Sequence, residues 1–287
     1  MKKLSLIIFF SLLASLSFSQ SLLWKISGKG LKEPSYLYGT FHIKDSRVFS
    51  YDSTVTNAFV SCSAYAMEIL LDEIDPVAVQ KSTLMKDNSL DNLLTKEQYY
   101  FVDSVFKKKL GISLLLYKKM KPFFLSSLIT QTASDNKNED ALDLHFLKTA
   151  RTQNKQCIGL EKFEDQIAVI DKIPYKEQAE MLYNMLKDTV ETHEEEFDKM
   201  MDIYMNFDLS SLLEMTKNSG LGSDFEENFI ILRNKTMAKN LKKIIKKQTV
   251  FCAVGAAHLP GDNGVIELLR ESGYIVEAVP FKWIDIQ

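Results

Sequence analysis

"TVFCAVGAAHLPGDNGVIELLRESGYIVEAV", residues 249–279, is the stretch that decides the fold. Its first seven residues are apolar or small, the signature of a strand buried on both faces. The loop "AAHLPGDNG" follows, then "VIELLRESG" reads as a helix with Gly273 just past its C-terminus, and "YIVEAV" reads as a second strand. Strand, loop, helix and strand in this order predict an α/β fold. The order also sets His258 just beyond the carboxyl end of a strand, where ligands of open α/β sheets bind.

The same spacing recurs near the other end of the chain. "SYLYGTFHI", Ser35 to Ile43, reads as a strand running into Gly39, with His42 three residues later, as Gly255 precedes His258. Glycine at these two positions permits a sharp turn or a close backbone approach. Leu22–Ile26 and Ser35–Tyr38 flank "SGKGLKEP", a hairpin connection. Asp52–Val60 reads as a helix capped by Asp52 or Ser53. "AYAMEIL", Ala64 to Leu70, is a short buried strand carrying Glu68, and "NKQCIGLE", Asn154 to Glu161, is another, ending at Glu161. Between and after these, Asp75–Thr149 and Tyr175–Lys247 show helical spacing, with Pro122 opening a helix, so a large helical insertion is expected.

Lys2 and Lys3 before the apolar block Leu4–Leu16, with Ser17 and Ser19 beyond it, read as a signal peptide cleaved after Ser19. An uncleaved anchor is the alternative. Export to the periplasm or the outside medium is therefore expected, with residues 20–287 forming one domain and no stable membrane span after cleavage. Loss of the two lysines takes the formal net charge from −3 to −5, which argues against nucleic acid as a partner. Cys62, Cys157 and Cys252 are an odd number and cannot form a fully paired disulfide framework. Buried free thiols are the plain reading; a Cys157 nucleophile is the sharper one. His193 lacks the second histidine of a zinc helix, and "TMAKNLKKIIKK" reads as a surface helix with snorkelling lysines, anionic lipid being the minority account.

Four polar residues are thus delivered in one way, at or just past the ends of apolar strands: His42, Glu68, Glu161 and His258. Convergent strand ends make one pocket and hold side chains firmly. Two imidazoles and a carboxylate suit a transition metal and leave positions for water, which such an ion makes nucleophilic near neutral pH. Glu68 and Glu161 follow apolar runs, where a carboxylate needs a partner: a metal, a histidine or an arginine.

"LYGTFH", "GLE" at Gly159–Glu161, "RN" at Arg233–Asn234 and "VGAAHLPGDNGV" resemble the TraB/GumN family, which includes the Tiki proteases, in order and spacing across essentially the whole mature chain. A weaker likeness lies in "MKPFF", Met120 to Phe124. The resemblance implies a central mixed β-sheet with flanking helices, related to ester-cleaving enzymes of the erythromycin-esterase kind, and a metal-dependent protease that clips peptide or protein substrates. It implies His42 and His258 as metal ligands, Glu68 as a further ligand, and Glu161 as general base or ligand. Arg233 stabilises an oxyanion or pairs Glu161. Manganese or cobalt is favoured, with zinc as an alternative. A metal-free His/Glu hydrolase and a protein that sequesters a peptide without cutting it are the rival readings. His145 and Asp143, on a helix, are expected to pack in the core or to support the site by a hydrogen bond.

Overall fold

The computed structural model describes residues 21–41, 45–131, 140–217 and 226–284, without the side chains of Leu71, Gln131 and residues 188–196. The leader and His42 fall outside the described residues. Six strands form one sheet: β1 (Leu23–Ser27), β2 (Ser35–Thr40), β3 (Ala64–Met67), β4 (Gln156–Gly159), β5 (Val250–Gly255) and β6 (Ile275–Ala278). Their order is β4-β3-β5-β2-β1-β6. β4, β3, β5 and β2 run parallel, and β1 runs antiparallel to both β2 and β6. The sheet is therefore mixed, with helices packed around it, and the fold is α/β.

Parallel pairing puts the carboxyl ends of four strands on one edge. In register, Thr40 stands beside Gly255, while Met67 stands beside Ala253 on one side and Gly159 on the other. Every residue of β3 and β5 is buried, as central parallel strands require. Below that edge an aromatic cluster fills one face of the sheet, with Phe146 and Phe251 ring centroids 5.1 Å apart and Tyr38 and Phe146 5.7 Å apart.

The helix expected at 52–60 runs over Ser53–Ser61, its N-terminus capped by the Asp52 carboxylate, which accepts from the Thr54 amide. Pro122 opens the helix Pro122–Gln131 as expected, where its missing amide leaves no bond unmade. The helical insertion has an apolar core of its own, formed by Leu90, Val102, Phe106, Leu114 and Leu125 against Leu182 and Leu186 of the long helix Tyr175–Met205. Among the described residues no helix is long and apolar enough to cross a membrane.

Two local expectations change. The strand expected over 64–70 ends at Met67; the Glu68 carbonyl still accepts from the Glu161 amide (2.8 Å), and its side-chain Oε1 accepts from the Gly255 amide (2.8 Å). Gly255 itself has φ −52° and ψ 135°, a conformation open to any residue, so no sharp turn requires it. Gly39 does answer to close approach: a Cβ there would lie 2.8 Å from Leu259 Cδ1 and 3.2 Å from the Cα of Ala256. The missing side chain lets the His258 turn lie directly over β2.

Candidate active site

Three of the four strand-end residues meet at the carboxyl edge, and a helix brings the fourth partner. Glu68 follows β3 directly, Glu161 lies two residues past β4, and His258 closes the short 3-10 turn Ala256–His258 after β5. Arg233 comes from the first turn of the helix Leu232–Ile245, which follows a π-helical segment over Glu226–Ile231. Segments of that kind often sit at functional sites. The helix is held to the sheet by Met237, Ala238, Leu241 and Ile245, all buried on one stripe.

A single guanidinium gathers the group. Arg233 donates from Nε and Nη2 to Glu161 Oε2 (3.0 and 2.7 Å) and from Nη2 to Glu68 Oε2 (2.5 Å). Its Nη1 lies 3.4 Å from His258 Nε2 and 3.5 Å from the Phe229 carbonyl oxygen. Gln166 Nε2 donates to the same Glu161 oxygen (3.2 Å). The side chains of Arg233, Glu68, Glu161 and His258 are only 12, 13, 3 and 7% exposed. Burial raises the Glu161 carboxyl above the ordinary glutamate range, with Arg233 pulling in the other direction. For Arg233 burial acts to discharge the guanidinium, but Glu68 and Glu161 more than offset it and the pKa rises. Pairing is thus the arginine's structural role, and it pairs both carboxylates rather than Glu161 alone.

The hydrogen-bond network also assigns the state of His258. Asn234 Nδ2 donates to the Asn263 carbonyl oxygen (2.8 Å), so its Oδ1 is the atom facing His258 Nδ1 at 2.7 Å. Nδ1 therefore carries a proton, and Nε2 is the ring nitrogen that faces Arg233 and Glu68. Asn234 is 1% exposed. Sequence reading quoted it beside Arg233 and gave it no role. The available signal was an amide on the apolar stripe shared with Met237, Ala238, Leu241 and Ile245, where a polar side chain needs a reason.

Beside this centre lies a cavity of about 770 Å³, walled by residues such as Phe41, Met67, Phe123, Met215 and Phe229, with Glu68, Arg233 and His258 on its polar side. Asp143 also lines it, and its backbone oxygen accepts from the Tyr65 hydroxyl (2.9 Å). His145 is exposed and stands edge-on to Phe49 at 5.2 Å, away from the core packing expected of it. All three cysteines are free; Cys62 and Cys252 are buried and Cys157 is half-buried. Burial pushes the Cys62 thiol up to about 11 and raises Cys157 as well, which weakens the nucleophile reading of Cys157. The side chain of His193 lies outside the described residues.

The profile of the TraB/PrgY/gumN family matches residues 22–278. The chain belongs to that family. Its relatives include metalloprotease TIKI2 of Danio rerio, 23% identical over 326 residues that cover 91% of this chain and 61% of that protein. Metalloprotease TIKI1 of Homo sapiens is 21% identical over 322 residues, 91% of this chain and 62% of that protein. The uncharacterized protein YbaP of Shigella flexneri is 23% identical over 244 residues, 82% of this chain and 88% of that protein. This TraB/PrgY/gumN chain thus spans about three fifths of the length of its TIKI relatives. No solved structure gave a significant match.

A divalent ion can be tested against the donors of this family member. His258 Nε2 and Glu68 Oε1 are 3.8 Å apart. Two ligands at about 2.1 Å from one ion are separated by at most about 4.2 Å, so these two donors fit a single ion. Among the described residues no three His, Cys, Asp or Glu side chains converge on such a position. His42, the third expected ligand, lies outside them.

Proposed function

We propose that this protein is an exported metal-dependent hydrolase, most concretely a peptidase, with His258 and Glu68 holding the ion together with His42. The observation that carries the reading is the pair His258 Nε2 and Glu68 Oε1, 3.8 Å apart on the lining of a cavity large enough for a peptide segment. A divalent cation bound there supplies Lewis-acid polarisation of a carbonyl and makes water nucleophilic near neutral pH. A metal is in line with the metalloprotease names of the TIKI relatives, and manganese or cobalt, with zinc as an alternative, is the ion the family resemblance implies.

The chain's own residues supply the rest. Asn234 keeps the proton on Nδ1, so Nε2 stays available as a donor atom. Glu161, held through Oε2 by Arg233 and Gln166, is the residue expected to accept a proton from the attacking water and return it to the departing amine. Water oxygen adds to the carbonyl carbon, the C–N bond breaks, and the products are a carboxylate and an amine. Arg233 keeps Glu161 oriented and places positive charge where a carbonyl oxygen becomes negative.

A metal-free hydrolase draws on one specific contact, the Arg233 Nη1 at 3.4 Å from the same Nε2 that the ion would need. Metal analysis of the purified mature chain beside His42→Ala and His258→Ala, with mass spectrometry of peptides before and after chelation, tests both readings. Bound divalent metal that falls sharply in each variant, with cleavage lost on chelation, is the expected result. Cleavage that survives exhaustive chelation refutes the metal; peptide that is bound and never shortened refutes hydrolysis and favours sequestration.

A further inference from the structure

The cavity beside the charged centre has a division of labour that neither metal nor acid–base chemistry uses. Its charged groups are Glu68, Asp143, Arg233 and His258, while Met67, Phe123, Ile170, Met200, Met215 and Phe229 give it a large apolar wall. Phe123, from the Pro-aromatic step of the helix Pro122–Gln131, stacks on Phe229 with ring centroids 5.6 Å apart. Phe229 in turn offers its carbonyl oxygen to Arg233 Nη1. The apolar wall and the charged centre are therefore one continuous surface. Thr40 lies on that surface, 1% exposed, and its Oγ1 finds no hydrogen-bond partner among the described residues. A buried hydroxyl left in this way is open to a water or to a polar atom of a ligand.

An occupant matching these walls is apolar at one end and polar at the other, with an amide group between. We infer that the protein selects peptides carrying a bulky apolar side chain, leucine, methionine or phenylalanine, beside the bond to be cut, and that the cavity holds that side chain. The inference rests on the hydrolase reading above. Three methionines in the wall adapt to branched and aromatic shapes alike, so the selection is by size and polarity rather than by one contour. Acidic side chains are rejected, because the carboxylates of Glu68 and Asp143 line the same cavity.

The test uses the full mature chain and a set of peptides differing only at the residue flanking the cut, with kcat/KM read by mass spectrometry. Leucine and phenylalanine peptides are expected to exceed the glycine peptide by at least about tenfold, as burial of such a side chain allows. The aspartate peptide falls below glycine. Met215→Trp and Met200→Trp, each half-buried at the wall, fill the cavity from different helices. Each is expected to bring the ratio of phenylalanine to alanine kcat/KM down toward one. A flat preference, or one that both folded tryptophan variants leave unchanged, overturns the inference. Binding of N-acetyl-phenylalanine amide, followed by NMR, separates the two readings. If no peptide is cut, the hydrolase reading fails; the cavity inference then stands if the amide binds wild type and binds either tryptophan variant at least about tenfold more weakly, and falls if it does not.

Discussion

Replacing Arg233 by methionine removes the guanidinium and keeps most of the apolar stem. Glu161 and Glu68 then share a buried space with their common cationic partner gone, while Glu161 keeps the Gln166 amide and Glu68 the Gly255 amide. Breaking a buried ion pair costs about 3–5 kcal/mol, against a total stability of about 5–15 kcal/mol. At roughly 2–4 °C per kcal/mol for a chain of this size, Tm falls by roughly 6–20 °C. The loss depends on pH, and its sign follows from Glu161. Its folded pKa is raised, by burial first. The folded state therefore binds the proton more readily than the unfolded one, and stability declines as pH rises from the ordinary glutamate value through the folded value. Without Arg233 the folded value climbs further and the declining window widens. As pH falls both proteins regain the stability that ionising Glu161 costs, and the variant regains more because its folded value is higher. The stability gap between wild type and variant is thus widest near pH 8 and narrows toward pH 4.5. Urea unfolding of chelator-treated protein across that range, followed by circular dichroism, measures it. A gap under about 1 kcal/mol at pH 8, the worth of an exposed ion pair, or one that does not change with pH, refutes the reasoning.

Asn234→Leu is expected to lower metal affinity or peptide cleavage by about 10- to 100-fold with the fold intact, and Asn234→Asp, which keeps an acceptor for His258 Nδ1, is expected to lose less; metal titration of both variants checks the order. Thr40→Val exchanges an unpartnered buried hydroxyl for a methyl and is expected to leave stability unchanged or raise it by about 1 kcal/mol in thermal unfolding, whereas a clear loss would mean that the hydroxyl is satisfied. Under iodoacetamide at neutral pH, half-buried Cys157 is expected to label first, with Cys62 and Cys252 labelling only after unfolding, which peptide mapping reads directly.

Much of this protein was legible in one dimension because its signals are local. Turn chemistry and periodicity mark β5, its loop, the following helix and β6 within a window of about thirty residues, and they set His258 past a strand end. The same reasoning found Glu68 and Glu161 at the ends of β3 and β4, Asp52 as a cap and Pro122 as a helix opener. It overran β3 by three residues, because where the ladder stops is set by pairing with β4 and β5, which ends at Met67. Of the two readings of Gly255, the sharp turn is not made, and of the two readings of His145, core packing is not what the exposed ring does.

What the linear order could not decide is who meets whom. Residues 68, 161, 233 and 258 become neighbours only because β3, β4 and β5 pair in parallel and the helix Leu232–Ile245 docks its apolar stripe on them. That pairing makes one arginine serve two carboxylates, turns the Asn234 amide toward His258, and opens the apolar cavity at the sheet's edge. Strand and helix formation draw on interactions a few residues apart, and so are written along the chain. Shared protons, shared counter-charges and cavity walls arise from packing between distant segments, and so exist only once the sheet has closed.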